Sequence, residues 1–119
     1  MRTFAGMKQE SVEERKAALL SRCRFYKGEE KFPNGVNFFG WECEELYVRC
    51  MLSGKYEPLN AAVSFFRSVG LDKEPALQDG TPIEVQALLF NRFCYQSEVD
   101  PIELAKPFVR RYVKTFANN

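Results

Sequence analysis

Apolar and polar positions along this chain repeat with the period of helices. From Ser11 onward, five stretches place apolar residues three or four positions apart, the spacing that lines one face of an α-helix. No stretch shows the convincing alternation of a half-buried strand. The pattern therefore predicts an all-α fold, a single compact bundle of about five helices over residues 11–119. We expect residues 1–10, which carry no pattern, to be disordered or poorly ordered.

Capping residues and glycines mark where the predicted helices begin and end. Ser11 and Glu14 form a capping box, and Gly28 is the expected stop of the first helix. Thr81 and Asp100 are the expected N-caps of the last two helices, because each is followed by Pro and then by Glu two residues later. The later helices are expected at about 37–53, 58–69, 81–96 and 100–116.

Two longer connections between the predicted helices have the composition of loops, and one proline lies within the last predicted helix. Residues 28–36 and 70–80 are rich in Gly, Pro and charge, which predicts surface loops. Pro107 falls within the last predicted helix, and we expect it to kink that helix or to shift its start.

Two predicted helices are apolar around most of their circumference, and each carries one misplaced charge. Glu44 falls in the apolar arc of the second helix and Arg92 in that of the fourth. Because a buried charge is costly unless it is paired, the two side chains are expected to meet or to line one shared cleft. The alternative is that both reach solvent at the ends of the helix crossing, since long side chains keep their charged ends in water.

The last predicted helix is amphipathic and has a basic face. Its expected inward residues are Ile102, Ala105, Val109, Tyr112, Val113 and Phe116. Its cations are Lys106, Arg110, Arg111 and Lys114. This face fits phosphate contact with nucleic acid or contact with an acidic partner. The alternative is a solvated face whose cations suit the C-terminal end of a helix.

Aromatic residues cluster before and at the start of the second helix. The candidate contact surface consists of Phe25, Phe32, Phe38 and Phe39. Exposed rings at such a surface are typical of protein interfaces, including self-association. The alternative is packing in the core against the fourth helix, which we favour for the neighbouring Trp41.

Composition excludes several kinds of chemistry. The chain has no histidine, so it has neither a Ser-His-Asp triad nor a Cys-His nucleophile pair. Its four cysteines lack Cys-x-x-Cys spacing, which indicates reduced core thiols and no metal site. No cofactor-binding motif is visible, and we expect a protein that is not an enzyme.

Charge and hydropathy indicate the cellular compartment and the partners to expect. Seventeen cations against sixteen anions leave a net charge of +1, which argues against strong non-specific binding to a polyanion. There is no apolar run near the N-terminus that would serve in a signal peptide, and none long enough for a membrane span. We therefore expect a cytoplasmic protein without a membrane partner.

Three segments resemble a family of short bacterial proteins of unknown function. These are RCRFYKGEEKFP from Arg22 to Pro33, the WECEELYV that follows, and DGTPIEVQALLFNRF. The shared features are the RCRFYKGE run, a helix centred on Trp and the block TPI-x-x-x-ALL-x-NR, which together cover most of residues 22–93. The resemblance implies a small cytoplasmic protein, and it carries no activity, cofactor or catalytic residue.

Three functional hypotheses follow from these patterns. The leading one is a non-enzymatic helical module that contacts another protein or a second copy of itself. The first alternative is a nucleic-acid-associated regulator that uses the basic face of the last helix. The second is a small-ligand binder with Glu44 and Arg92 in an apolar cleft.

Overall fold

The structure is a computed structural model that describes residues 11–23, 29–31, 37–95 and 100–117. Side chains are described for residues 11–23, 40–95 and 100–110. The expectation of disorder for residues 1–10 falls outside these ranges. Within the described residues the fold is all-α with five helices, as predicted. They are α1 (Val12–Leu20), α2 (Gly40–Ser53), α3 (Glu57–Ser68), α4 (Ile83–Tyr95) and α5 (Pro101–Ala117).

Helix α1 begins where the sequence predicts and ends earlier. The capping box forms, because Ser11 Oγ accepts from the backbone N–H of Glu14 at 3.1 Å and a Glu14 oxygen accepts from the backbone N–H of Ser11 at 2.9 Å. The expected extension to Gly28 is wrong, since α1 ends at Leu20. The Ser21 hydroxyl donates to the Ala18 carbonyl at 2.8 Å, so a side chain satisfies a carbonyl at this end of the helix.

Two short paired strands precede α2, and the first of them corrects the predicted loop at residues 29–31, whereas residues 28 and 32–36 of that loop lie outside the described residues. Strand β1 (Glu29–Lys31) pairs antiparallel with strand β2 (Asn37–Phe39), with Glu29 opposite Phe39. Because residues 37–39 pair as a strand, α2 begins at Gly40 and not at Asn37 or Phe38. Its predicted end at Ser53 is confirmed, and Gly54 follows with a φ of 77°.

Helix α3 lies within one residue of its predicted bounds and buries one face, whereas the segment after it is more than a surface loop. Leu59, Ala62 and Phe66 are buried. Residues 70–80 contain two 3₁₀ turns, Leu71–Lys73 and Pro75–Leu77, and the leucine of each turn is buried in the core. This segment therefore closes one side of the core.

Thr81 does not cap α4 as predicted. Its backbone N–H donates to Asp79 Oδ1 at 3.0 Å, and its Oγ1 is buried without a hydrogen-bond partner among the described residues. The buried polar residue Gln86 links α4 to this segment by hydrogen bonds. Its Nε2 donates to the carbonyls of Leu77 at 2.7 Å and Thr81 at 3.0 Å.

Helix α5 begins as predicted, and part of its predicted inward face is confirmed, because Ala105 and Val109 pack partly buried against the core. Asp100 Oδ1 accepts from the backbone N–H of Ile102 at 2.8 Å, which confirms the cap. Pro107 lies inside the helix and does not shift its start. The expected inward position of Ile102 is wrong, because Ile102 is 62% exposed while Leu104 and Phe108 are buried. The side chains of Tyr112, Val113 and Phe116 lie outside the described residues.

Stacked and edge-on phenylalanines occupy the centre of the core. The ring of Phe90 lies 5.7 Å from Phe65, 5.9 Å from Phe66 and 5.3 Å from Phe108, measured between centroids. Phe108 also stacks on Phe93 at 6.3 Å, which explains why α5 turns this ring inward. The ring-rich core fixes the buried faces of α3, α4 and α5, and thereby decides which residues of α4 face solvent.

Candidate functional site

A groove of about 450 Å³ lies between α2 and α4 on the surface of the bundle. Its walls combine aromatic, charged and aliphatic side chains. On the α2 side these are Trp41, Glu42, Cys43, Glu45, Leu46 and Arg49, and on the α4 side Leu88, Asn91, Arg92 and Tyr95.

The helical repeat explains why these residues share one groove. On α2, four of them follow the spacing i, i+3, i+4, i+7 from Glu42 to Arg49, and on α4 the same spacing runs from Leu88 to Tyr95. The opposite faces of both helices are buried, with Tyr47 on α2 and Phe90 on α4 at less than 3% exposure. Each helix therefore presents two turns of one face to the groove.

Arg92 pairs with Glu42 across the groove and not with Glu44. Arg92 Nη2 donates to Glu42 Oε2, and the two side chains remain 34% and 32% exposed. The bond joins the first turn of α2 to the last turns of α4. Arg92 Nε is buried without a partner among the described residues. The expected pair of Glu44 with Arg92 is therefore wrong, because the partner of Arg92 is Glu42.

Glu44 lies near Cys23 and not in the groove with Arg92. It is not among the described residues that line the groove, because two positions along a helix turn a side chain by about 200° from Glu42. It lies close enough to Cys23 to act on that thiol: burial raises the pKa of Cys23, and the charge of Glu44 adds to the rise. The proposed shared cleft of Glu44 and Arg92 is therefore wrong.

Two exposed aromatic side chains flank the groove. Trp41 at the start of α2 is 50% exposed, and Tyr95 at the end of α4 is 82% exposed. The preference for Trp41 in the core is therefore wrong. Of the candidate contact surface, Phe25 and Phe32 lie outside the described residues, as do the side chains of Phe38 and Phe39.

Glu45 and Arg49 lie side by side on the α2 wall, one helical turn apart. Both are exposed. Within the described residues, neither side chain has an ion pair or a hydrogen bond. The groove thus offers one anion and one cation that no other described side chain neutralises.

The basic face of α5 is described only in part. Lys106 and Arg110 are exposed, whereas the side chains of Arg111 and Lys114 lie outside the described residues. The nucleic-acid hypothesis therefore stays a prediction.

The cysteines are free thiols, and two of them are buried. Cys43 lies at the floor of the groove and donates weakly to the Leu88 carbonyl at 3.6 Å. Burial raises the pKa of Cys43 to about 12, so it is a neutral thiol at physiological pH. Across the described ranges, no three potential ligand side chains of His, Cys, Asp or Glu come together as a metal site would require.

Length and hydropathy decide whether a helix can span a membrane. None of the helices in the described part of the chain combines the length and the hydropathy needed to cross a bilayer.

Sequence reasoning missed Tyr95 and the role of Glu42. The spacing held a signal for both, because Tyr95 follows Arg92 by three positions and Leu88 by seven, which places all three on one face of α4. Glu42 precedes Glu45 by three positions and Arg49 by seven, which places all three on one polar face of α2, and that face forms a wall of the groove.

Comparison with known proteins identifies no relative of this chain. No family model, no curated protein and no solved structure matches this chain. The resemblance to short bacterial proteins stays a prediction.

Proposed function

We propose that this protein is a non-enzymatic helical module that binds a protein partner through the groove between α2 and α4. The observation that carries this proposal is the exposure of Trp41 and Tyr95 on the two helices that form one groove. Large exposed rings are uncommon on a surface that stays in contact with water, and neighbouring ones mark a place for contact.

The residue types in the groove support a protein partner. Trp, Tyr and Arg are the side chains most enriched at the energetic centres of protein interfaces. Here Trp41 and Tyr95 supply ring surface, and Arg49 supplies an exposed guanidinium. Aromatic side chains also lose little conformational entropy when they are immobilised, so their burial is efficient.

The same features argue against a small ligand. Small-molecule sites enclose most of the ligand surface in a largely apolar pocket. This groove is lined by two arginines and two glutamates, and half of Trp41 and most of Tyr95 stay in water. A broad protein surface covers such rings better than a small molecule does.

Site-specific photo-cross-linking in the native host tests the proposal. The photoreactive residue p-benzoylphenylalanine replaces Tyr95 in one strain and Tyr56, which is 43% exposed and outside the groove, in a matched strain. We expect irradiation to yield protein adducts from position 95 and few from position 56, with the adducts identified by mass spectrometry. Adducts in equal amounts from both positions, or from neither, would contradict the proposal.

A further inference from the structure

We infer that the occupant of the groove is a second copy of this chain, docked across α2 about a two-fold axis. This inference rests on the proposed function, because it names the partner of the same groove. It is carried by two charges on the α2 wall, Glu45 and Arg49, which make no ion pair or hydrogen bond within the described part of the chain.

The spacing of these charges is self-complementary. Glu45 and Arg49 are four residues apart, which is about 6 Å along the helix axis. When two copies of α2 cross in opposite directions, with the two-fold axis midway between these residues, Glu45 of each copy lies opposite Arg49 of the other. One such arrangement forms two equivalent ion pairs, as the symmetry of an isologous interface requires.

The overall charge of the groove favours a copy over a partner of one sign. Glu42 is paired with Arg92, and Glu45 is balanced by Arg49, so the lining residues carry no net formal charge. A groove that had evolved for a strongly acidic or basic segment would show an excess of the opposite sign. A surface with no net charge, on which a glutamate and an arginine lie one turn apart, is complementary to a second copy of the same surface.

Apolar contacts accompany the ion pairs. Leu46, partly buried, lies between the two charges along α2 and so beside the proposed axis. Trp41 lies one turn beyond Glu45, and Tyr95 lies across the groove, so both rings are placed to cover the second copy. Two partly exposed rings provide less than the roughly 800 Å² per partner of a standard interface, which predicts a weak dimer with a Kd on the order of micromolar or weaker.

Charge reversal tests the geometry with variants of the full chain. Sedimentation velocity across protein concentrations from about 1 μM to about 500 μM brackets the expected Kd. The variants are Glu45→Arg, Arg49→Glu and the double exchange, with Lys106→Glu as a control for charge change on an exposed site of another helix. We expect the wild type and Lys106→Glu to dimerise and each single groove variant to weaken dimerisation about tenfold or more. The double exchange should restore it, because the opposed charges are exchanged together.

Two results would overturn the inference. One is a wild type that stays monomeric over the whole range, and the other is a dimer that neither single variant weakens. Circular dichroism of each variant separates loss of pairing from loss of fold, and both single variants change exposed residues only.

Failure of the dimer inference can be distinguished from failure of the proposed function. If position 95 cross-links to a different protein while the purified chain stays monomeric, the groove is a protein-binding site and the two-fold inference is wrong. If position 95 cross-links to nothing, the proposed function fails as well.

Discussion

Gln86 reaches out of α4 to the backbone of Leu77, where its Nε2 donates to the carbonyl at 2.7 Å. The same nitrogen donates to the carbonyl of Thr81 at 3.0 Å. Gln86 is one of the few polar side chains buried in the described core. It fixes the segment after α3 against α4, and so helps to orient the α4 face that forms the groove.

Removal of this amide should destabilise the fold. Gln86→Leu introduces an apolar side chain of similar size and leaves two buried carbonyls without this donor, so we expect the free energy of unfolding to fall by about 2 kcal/mol. Urea unfolding followed by circular dichroism measures the change. The matched control Gln78→Leu alters an exposed glutamine and should stay within about 0.5 kcal/mol of wild type. Equal stability of the two variants would contradict the role of Gln86.

The ion pair between Glu42 and Arg92 should show measurable but modest coupling. Both side chains are about one third exposed, so solvent screens the pair, and a double-mutant cycle with Glu42→Gln and Arg92→Gln should give about 0.5–1 kcal/mol. The same cycle with Glu44→Gln in place of Glu42→Gln should give a coupling energy near zero. Larger coupling of Arg92 to Glu44 than to Glu42 would show that the pairing is wrong.

Buried thiols should make the protein less stable in alkali. The pKa of Cys43 is raised by burial to about 12 from its ordinary value of 9.0, so the folded chain holds a proton that the unfolded chain releases. This contribution is complete below about pH 9 and is lost as pH rises toward 12. Burial raises the pKa of Cys94 to about 12 as well, and the direction of the effect is the same.

Urea unfolding of wild type and Cys43→Ala over pH 7.5 to about 10.5 checks this effect. The free energy of unfolding should fall more steeply above about pH 9 in wild type than in Cys43→Ala, because the variant lacks one of the titrating thiols. Parallel pH dependences in the two proteins would contradict the assignment to Cys43.

Local signals predicted most helix boundaries, and tertiary contacts decided the exceptions. The caps at Ser11 and Asp100 and the stop at Gly54 are set by neighbouring residues, which a sequence displays directly. The strand pairing of Glu29 with Phe39 joins residues ten apart and has no periodic signature in three-residue strands. The face of α5 likewise depends on Phe90, to which Phe108 packs, and not on the pattern within the helix alone.

The candidate site was predictable only in outline. The charge of Arg92 within an apolar arc predicted a pair with Glu44, whereas Arg92 pairs with Glu42. The choice between Glu42 and Glu44 depends on how α2 is rotated against α4, and that rotation is set by core packing around Tyr47 and Phe90. Periodicity defines an apolar arc, but it does not show which edge of the arc a neighbouring helix covers.

Trp41 gives the most direct test of the central claim that a second copy covers the groove. It is the only tryptophan of the chain and is half exposed in the groove, so its fluorescence reports on that surface alone. Acrylamide quenching should weaken by about twofold as the wild-type concentration rises from about 1 μM to about 500 μM, because the exposed half of the ring becomes buried in the dimer. The variant Arg49→Glu should show no such protection. Quenching of wild-type Trp41 that is the same at every concentration would contradict the claim.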